Sequence, residues 1–223
     1  MNHCDYCAQL APPSGKVLDV GSGRGKFLCE MAERGFMVYG LEINSAYNME
    51  AWESAQMRGL TVAVHQGKGE RLPFPDAYFD FVNCAEVTEH VDDPRQVARE
   101  IFRVLKPSGK GYISFHNRFG WYDYHYHMYG INWLPRAWAE CLLRLFGRQK
   151  EDGAAGRQRL VAMHYYTYTA AKSMLASVGF TVRDIREIKI RQRFGHSAFF
   201  VFLLYKVLLR PLYFNTFHFL LER

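Results

Sequence analysis

The stretch Asp19-Val20-Gly21-Ser22-Gly23-Arg24-Gly25 decides the reading of this chain. A short apolar run, Lys16-Val17-Leu18-Asp19-Val20, leads into it. Phe27, Leu28 and Met31 follow at helical spacing, with Gly35 as a stop. A strand, a glycine turn and an amphipathic helix open a βαβ unit. Glycines at alternate positions let the backbone bend sharply and pass close to a ligand, because no Cβ stands in the way. The helix then offers free N–H groups and the positive end of its dipole, which suit a carboxylate or phosphate.

Outward from the turn the alternation continues. Residues 36–42 read as a second strand, 45–58 as a helix closed by Gly59, 60–64 as a third strand and 79–84 as a fourth. A helix over 94–105 has Pro94 in its first turn and ends at the breaker Lys106-Pro107-Ser108-Gly109. Residues 112–115 make a fifth strand. Strands separated by helices imply parallel pairing with right-handed crossovers, so the expected class is α/β, a Rossmann-like doubly wound sheet. From Asn117 to about Met163 the text turns aromatic and basic, which suggests an insertion over the carboxyl edge of the sheet. Thr169 is expected to cap a helix through Val178, stopped by Gly179. Residues 180–190 and 197–206 then read as two strands, with 199–205 as a last strand buried on both faces. An apolar tail, 207–223, closes the chain.

The 223 residues suffice for one α/β domain and leave little room for a second, so a single domain over 1–223 is expected. With 49% hydrophobic and 22% charged residues, the composition excludes disorder. The net charge of +6 comes from scattered Lys and Arg, which favours anionic partners without choosing among them. Five cysteines, Cys4, Cys7, Cys29, Cys84 and Cys141, are an odd number, and Cys29 and Cys84 fall in elements read as buried. That pattern suits a reducing compartment, and a cytoplasmic location is expected. His3, Cys4 and Cys7 look like half a zinc site, but no second pair of suitable spacing follows, so free thiols are expected. Neither a signal peptide nor a spanning apolar stretch is apparent. The tail invites packing, dimerisation or peripheral membrane contact.

Two ligand classes use such a glycine turn. Dinucleotide binders place glycines first, third and sixth, and here the sixth position is Lys26. Asp19-x-Gly21-x-Gly23-x-Gly25 instead resembles the first motif of class I S-adenosylmethionine (SAM)-dependent methyltransferases. The resemblance makes SAM the expected cofactor. It assigns Asp19 to the methionine amino group, with Gly21, Ser22, Gly23 and Gly25 lining the turn. Glu42 ends the second strand 21 residues after Gly21, near the spacing expected for an acid that grips a ribose diol. The resemblance also sets Ile43 against adenine.

The segment 67–80 resembles the part of these enzymes that closes over adenine, with one departure. Lys68 stands where the family usually has Asp, and lysine offers no acceptor. Backbone at Gly69, or Glu70, is the expected substitute. Cys84-Ala85-Glu86-Val87-Thr88-Glu89-His90-Val91 resembles the family's post-strand motif, which brings Cys84 and Glu86 to the methionine part of SAM. Glu86, Glu89 and His90 also resemble an acidic–His set that holds a divalent ion in ubiquinone-pathway O-methyltransferases. Relatives share these letters without metal, and no metal is expected here. Arg103-Val104-Leu105-Lys106-Pro107-Ser108-Gly109 matches the family's turn before strand five.

The resemblance implies methyl transfer to a small-molecule, glycan or lipid-type acceptor at oxygen. Oxygen nucleophiles call for a general base, and His125 and His164, in and beside the insertion, are the expected catalytic residues. Asn117, Arg118, His125, Trp133 to Arg136 and His164 resemble the acceptor region of methyltransferases of glycan and quinone-type substrates. An RNA methyltransferase is the second reading. Nucleic acid is not the expected partner, because Asn83-Cys84-Ala85-Glu86 lacks the proline turn that holds a flipped base. A non-catalytic scaffold is the third reading, and Lys68 is the one feature that favours it.

Overall fold

A computed structural model describes residues 2–150, 159–195 and 198–223. The short helix α1 (His3–Ala8) precedes strand β1 (Lys16–Val20), helix α2 (Lys26–Glu33), strand β2 (Met37–Glu42), helix α3 (Ser45–Met57) and strand β3 (Val62–Gln66). Strand β4 (Phe79–Cys84), helix α4 (Pro94–Val104) and strand β5 (Leu105–His116) complete the parallel part. Strand β8 (Thr181–Asp184) and strand β9 (Thr216–Glu222) extend the sheet, whose order is β3-β2-β1-β4-β5-β9-β8. Strand β9 runs antiparallel to both neighbours. The fold is the expected Rossmann-like sheet of seven strands with an antiparallel last strand.

Period-2 alternation sends β1 side chains to two cores. Leu18 and Val20 meet Val97, Ala98, Ile101 and Val104 of α4 on one face. Val17 meets Phe27, Leu28 and Met31 of α2 and Cys7 of α1 on the other. Helix α4 forms where expected because Asp93 accepts from the backbone of Arg95 at 2.9 Å and Gln96 at 3.1 Å, with Pro94 in the first turn. The expected breaker at 106–109 is a bulge within β5. The register jumps there from Phe79 opposite Leu105 to Phe81 opposite Lys110.

The insertion over 117–163, described except for 151–158, is built from a small hairpin of β6 (Tyr122–Asp123) and β7 (Met128–Tyr129), a 3-10 turn and helix α5 (Arg136–Leu145). It has its own core of Tyr126, Ile131, Ala139, Leu143, Leu160 and Met163. Helix α6 (Tyr168–Val178) follows, and its cap is Thr167, two residues earlier than expected.

The C-terminal part departs most from the sequence reading. Of the expected strand 180–190 only Thr181–Asp184 is extended. Asp184 then caps helix α7 (Ile185–Phe194), accepting from Arg186 at 2.9 Å and Glu187 at 3.3 Å. The run 197–206, whose residue 197 lies outside the described residues, is helix α8 (Ala198–Leu204) with a π-helical continuation over Tyr205–Tyr213. The last strand is not 199–205 but Thr216–Glu222, inside the expected tail. An unbroken apolar run fits a helix as well as a buried strand, so periodicity alone does not decide it.

These two placements differ in energy. Phe219 is fully buried and Phe200 is 79% exposed. Phe219→Ala is therefore expected to cost about 3–5 kcal/mol. Phe200→Ala is expected to stay within about 0.5 kcal/mol. Urea unfolding of the two variants checks the assignment, and the reverse ranking would restore 199–205 as the strand.

Candidate active site

The chain leaves β1, builds β2 and β3 to one side, then crosses back to lay β4 on the other. The seam between β1 and β4 is thus the switch point where open α/β sheets bind ligands. Asp19 and Asn83 are register partners across that seam, and the Asn83 amide donates to Asp19 Oδ1 at 2.7 Å. His3, on α1, sits 3.0 Å from Asn83 Oδ1 through its Nε2. A ring N–H donating there fixes the amide so that its NH2 faces Asp19. Burial pushes the Asp19 carboxyl up to about 7. The Asn83 hydrogen bond pulls it back and the like charge of Glu42 pushes it further.

Gly21, Gly23 and Gly25 all have positive φ, at 73°, 51° and 78°. A Cβ at Gly21 would collide with Val87, and one at Gly25 would come 2.6 Å from Ala51 Cβ. A Cβ at Gly23 meets nothing within 4 Å, so the middle of the turn is open. Glu42 holds this turn from the next strand. Its Oε2 accepts from Gly23 N at 3.0 Å and its Oε1 from Asn44 N at 2.9 Å. Each oxygen keeps a lone pair for a hydroxyl. The Ser22 hydroxyl is buried without a hydrogen bond and lies against Gly40, so Ser22 serves the turn through its backbone. Ile43 is exposed at the tip of β2.

The departure at Lys68 has a local answer. Its ammonium pairs with Asp92 at 3.1 Å. Glu70 Oε1 accepts from the backbone of Asp92 at 2.8 Å and of Asp93 at 3.4 Å. Glu70 therefore ties the 67–70 loop to the start of α4. Gly69 packs on the tip of β1, where an added Cβ would lie 3.3 Å from Val20 and Val97. Arg103 holds the next residues by donating to Leu72 O at 3.0 Å, Phe74 O at 2.8 Å and Asp76 Oδ1 at 2.8 Å.

Past β4, Cys84 points into the core, and Glu86 adopts a left-handed φ of 57°. Such a conformation costs about 1–3 kcal/mol and persists only where contacts enforce it. Here Glu86 Oε2 accepts from His116 Nε2 at 2.8 Å, and its backbone N–H donates to Ser114 Oγ at 2.9 Å. The same Nε2 lies 3.1 Å from Oε1 of Glu89, which is fully buried and makes no hydrogen bond through either oxygen. Burial works against charge on His116, but the two carboxylates overcome it and raise the ring to about 10. Burial likewise opposes charge on Glu86, yet His116 and Ser114 bring it down to about 2. His116 is thus a standing cation and no base at neutral pH.

His125 is its counterpart. Burial and the His116 charge lower its pKa, so the ring is neutral. Its Nδ1 lies 3.4 Å from the Tyr165 hydroxyl, which itself donates to Asp123 Oδ2 at 2.9 Å. That order places the ring proton on Nδ1 and leaves the Nε2 lone pair free. Nε2 is 3.9 Å from Glu89 Oε1, beyond hydrogen-bond reach but close enough to stabilise an imidazolium. The Arg136 guanidinium lies 4.6 Å over the Tyr165 ring, and burial together with the charge of Arg118 lowers it to about 10.

Of the expected residues, Asp19, Gly21, Gly23, Gly25 and Glu42 converge at the tips of β1 and β2. Glu86 and His125 converge past β4. His164 adjoins them through its backbone N–H, which donates to Glu89 O at 3.1 Å. The side chains of Cys84 and Glu70 are engaged elsewhere, and that of Ser22 is buried against Gly40. His116, Asp123 and Tyr165 form the rest of the arrangement without having been singled out, together with Glu89 and His3, which the sequence marks only as candidate metal ligands. Two trios, Glu89 with His90 and His125, and Glu86 with Glu89 and His116, bring one ligand atom each within 4.8 Å of one another.

The description "Methyltransferase domain" belongs to the family model that matches residues 18–113. A ubiquinone biosynthesis O-methyltransferase of Pseudomonas savastanoi pv. phaseolicola is 30% identical over 191 residues, covering 77% of this chain and 78% of that protein. The enzyme of the same name from Pseudomonas fluorescens (strain SBW25) is 37% identical over 110 residues, 46% of this chain and 45% of the relative. The chain thus spans about half the length of the first curated relatives it matches. Among solved structures, a SAM-dependent methyltransferase of Methanosarcina mazei superposes with a TM-score of 0.63 at 20% identity, covering 100% of this chain and 98% of that one. The chain belongs to the class I SAM-dependent methyltransferases, and SAM is the cofactor of that class.

The residues at the glycine turn fit this cofactor. Asp19 is a buried carboxylate flanked by the Asn83 amide and the Glu42 carboxylate, neither of them a cation, so a ligand ammonium would balance it. Gly23 leaves room, and Glu42 is fixed by two backbone donors.

The His116 charge has a measurable consequence for stability. A raised imidazole pKa stabilises fully below about 6.5 and loses that contribution as pH climbs through about 10. A lowered Glu86 pKa stabilises above 4.5 and loses its contribution as pH falls through about 2. The melting temperature of the parent is expected to fall relative to His116→Gln between pH 7 and pH 10. Parallel curves for the two proteins would mean that the ring is neutral.

Proposed function

We propose that this chain transfers the methyl group of SAM to an oxygen of a small-molecule, glycan or lipid-type acceptor held under the insertion. The observation that carries the reading is the pairing of a neutral, oriented His125 with the buried Glu89, beside the glycine turn of a SAM fold. The sulfonium methyl is already electrophilic, so the protein's tasks are to align the acceptor, exclude water and take a proton.

Asp19 binds the methionine ammonium and Glu42 the ribose hydroxyls. His125 Nε2 accepts the acceptor's hydroxyl proton as the oxygen attacks the methyl carbon. The Tyr165–Asp123 pair keeps Nδ1 protonated, and Glu89 stabilises the imidazolium that forms. The charges of Arg118 and Arg136 favour an oxyanion. That field argues for an acidic hydroxyl, such as a phenol, and suits the similarity to O-methyltransferases.

A second reading rests on Glu89, whose buried oxygens lack hydrogen bonds. Glu89, His90 and His125 would hold a divalent ion, which when bound lowers the pKa of an acceptor hydroxyl as a Lewis acid. Loss of activity on chelation, restored by added ion, would favour it over the proton relay.

Two measurements test the main reading. In calorimetry, Asp19→Asn is expected to weaken SAM binding about 10- to 100-fold. Because Asp19 titrates near 7 before binding, the parent's affinity is expected to rise about fivefold from pH 6 to pH 7, with proton release. An affinity flat in pH and unchanged by Asp19→Asn would remove the assignment. With labelled SAM and fractionated lipid, glycan and phenolic extracts, His125→Gln is expected to lower the rate of labelling about 10²- to 10⁴-fold while SAM affinity holds. A His125→Gln enzyme as fast as the parent would take the base role away from this ring.

A further inference from the structure

Helix α8 and its π-helical continuation carry an apolar face left bare by the described residues. Phe199 is 68% exposed, Phe200 79% and Val207 66%, and Leu203, Leu204 and Leu208 are about half exposed. The other side of this segment is fixed. Tyr205 is 2% exposed and its hydroxyl donates to Asp184 Oδ2 at 2.7 Å. Arg210 pairs with Glu187 at 2.9 Å and lies 3.7 Å over the Tyr168 ring. The bare face is therefore held outward by a packed inner side. It also runs on to the insertion, because Trp121 N donates to Tyr213 O at 3.4 Å and both rings are exposed.

Charge selects the occupant. No Asp or Glu lies between Glu187 and Glu222, whereas Lys189, Arg191, Arg193, Lys206 and Arg210 do. Arg210 is used internally. Lys189, Arg191 and Arg193 are exposed on α7, next to α8. Arg191 lies 4.8 Å and Lys206 4.4 Å from the Phe202 ring, which sets cations at the flank of the apolar ridge. A second copy seated face to face would set these cations against their own images, and Glu187, the acid on α7, is already taken by Arg210 at 2.9 Å and Lys206 at 3.8 Å. An anionic bilayer surface offers both what the ridge lacks and what the cations lack. No helix among the described residues is long and apolar enough to cross a membrane, so the segment lies on the surface.

We propose that the α7–α8 face docks the protein on an anionic lipid surface, with the phenylalanine ridge in the headgroup–acyl boundary and the cations among the headgroups. This docking is independent of the acceptor's identity.

Flotation of the full chain with vesicles tests it. One set is phosphatidylcholine alone, and the other replaces about a third of it with phosphatidylglycerol. The chain is expected to float with the anionic set and to be released by salt. Arg191→Gln with Arg193→Gln is expected to weaken that binding about 25-fold, at about fivefold per cation. Phe199→Ser with Phe200→Ser is expected to weaken it about tenfold or more. Unchanged melting and unchanged SAM affinity of these variants show that fold and cofactor site are intact, which separates this proposal from the methyl-transfer reading. Absence of flotation, or equal binding to both vesicle sets, overturns it. So does a solution dimer that Phe199→Ser with Phe200→Ser splits, which would give the face to a second copy.

Discussion

The structure turns on a carboxylate buried at the seam of the sheet. Asp19 sits on the β1 strand with little access to water, and its neighbours across the seam and on β2 are an amide and a second carboxylate. An uncompensated charge in such a place is unfavourable, so the group shifts its pKa instead. The surrounding architecture orients this acid without neutralising it. Asn83 occupies the facing register position because β4 returns to that side of β1, and His3 reaches Asn83 because α1 packs on the same face as Val17. A cationic ligand end at this seam would complete a balance that the chain leaves open. That is why the N-terminal helix, which carries none of the cofactor motifs, belongs to the same electrostatic unit.

The second polar region follows an opposite rule. Around Glu89 the protein supplies both signs, and it separates two imidazoles by their surroundings. His116 has two carboxylates within 3.1 Å and becomes a cation. His125 has that cation beside it and stays neutral. Groups of one chemical type are thus pushed apart in pKa by environment, one held as a fixed charge and one left neutral. The strained Glu86 backbone belongs to this device, since its φ turns the carboxylate toward the end of β5.

The parallel half of the fold was legible because its signals are local. A glycine turn, a capped helix with Pro in its first turn and short apolar strands each declare themselves within about ten residues. The convergence of Asp19, Gly23 and Glu42 was legible for the same reason, because strand and turn spacing brings them to the tips of β1 and β2. His116, Asp123, Tyr165 and His3 were not legible as a group, because their partners lie 30, 42 and 80 residues away and nothing in the adjacent text points to those partners. The C-terminal error has a different cause. Residues 199–205 are apolar without a period, so strand and helix were equally supported, and the burial that would choose between them is a tertiary property. Alternation does exist further on, where Phe217, Phe219 and Leu221 face the core shared with α4 and α6.

The misread segment and the insertion turn out to be one mechanical unit. Asn117, the first residue after β5, donates to the carbonyls of Arg210, Pro211 and Phe214 at 3.3, 3.0 and 2.8 Å. Its backbone N–H donates to Asn215 O at 2.7 Å, and Asn215 Oδ1 accepts from Tyr122 N at 3.0 Å. The hairpin that carries Asp123 and leads to His125 is thereby hung on the end of the π-helical segment. The terminal carbonyls of that segment lack intrahelical donors, and a buried side-chain amide supplies them. Position of His125 and orientation of the bare apolar face are therefore set by the same few hydrogen bonds. Trp121 N donates to Tyr213 O at 3.4 Å and adds a second tie, so the approach to His125 and the end of the C-terminal helical segment share their anchors.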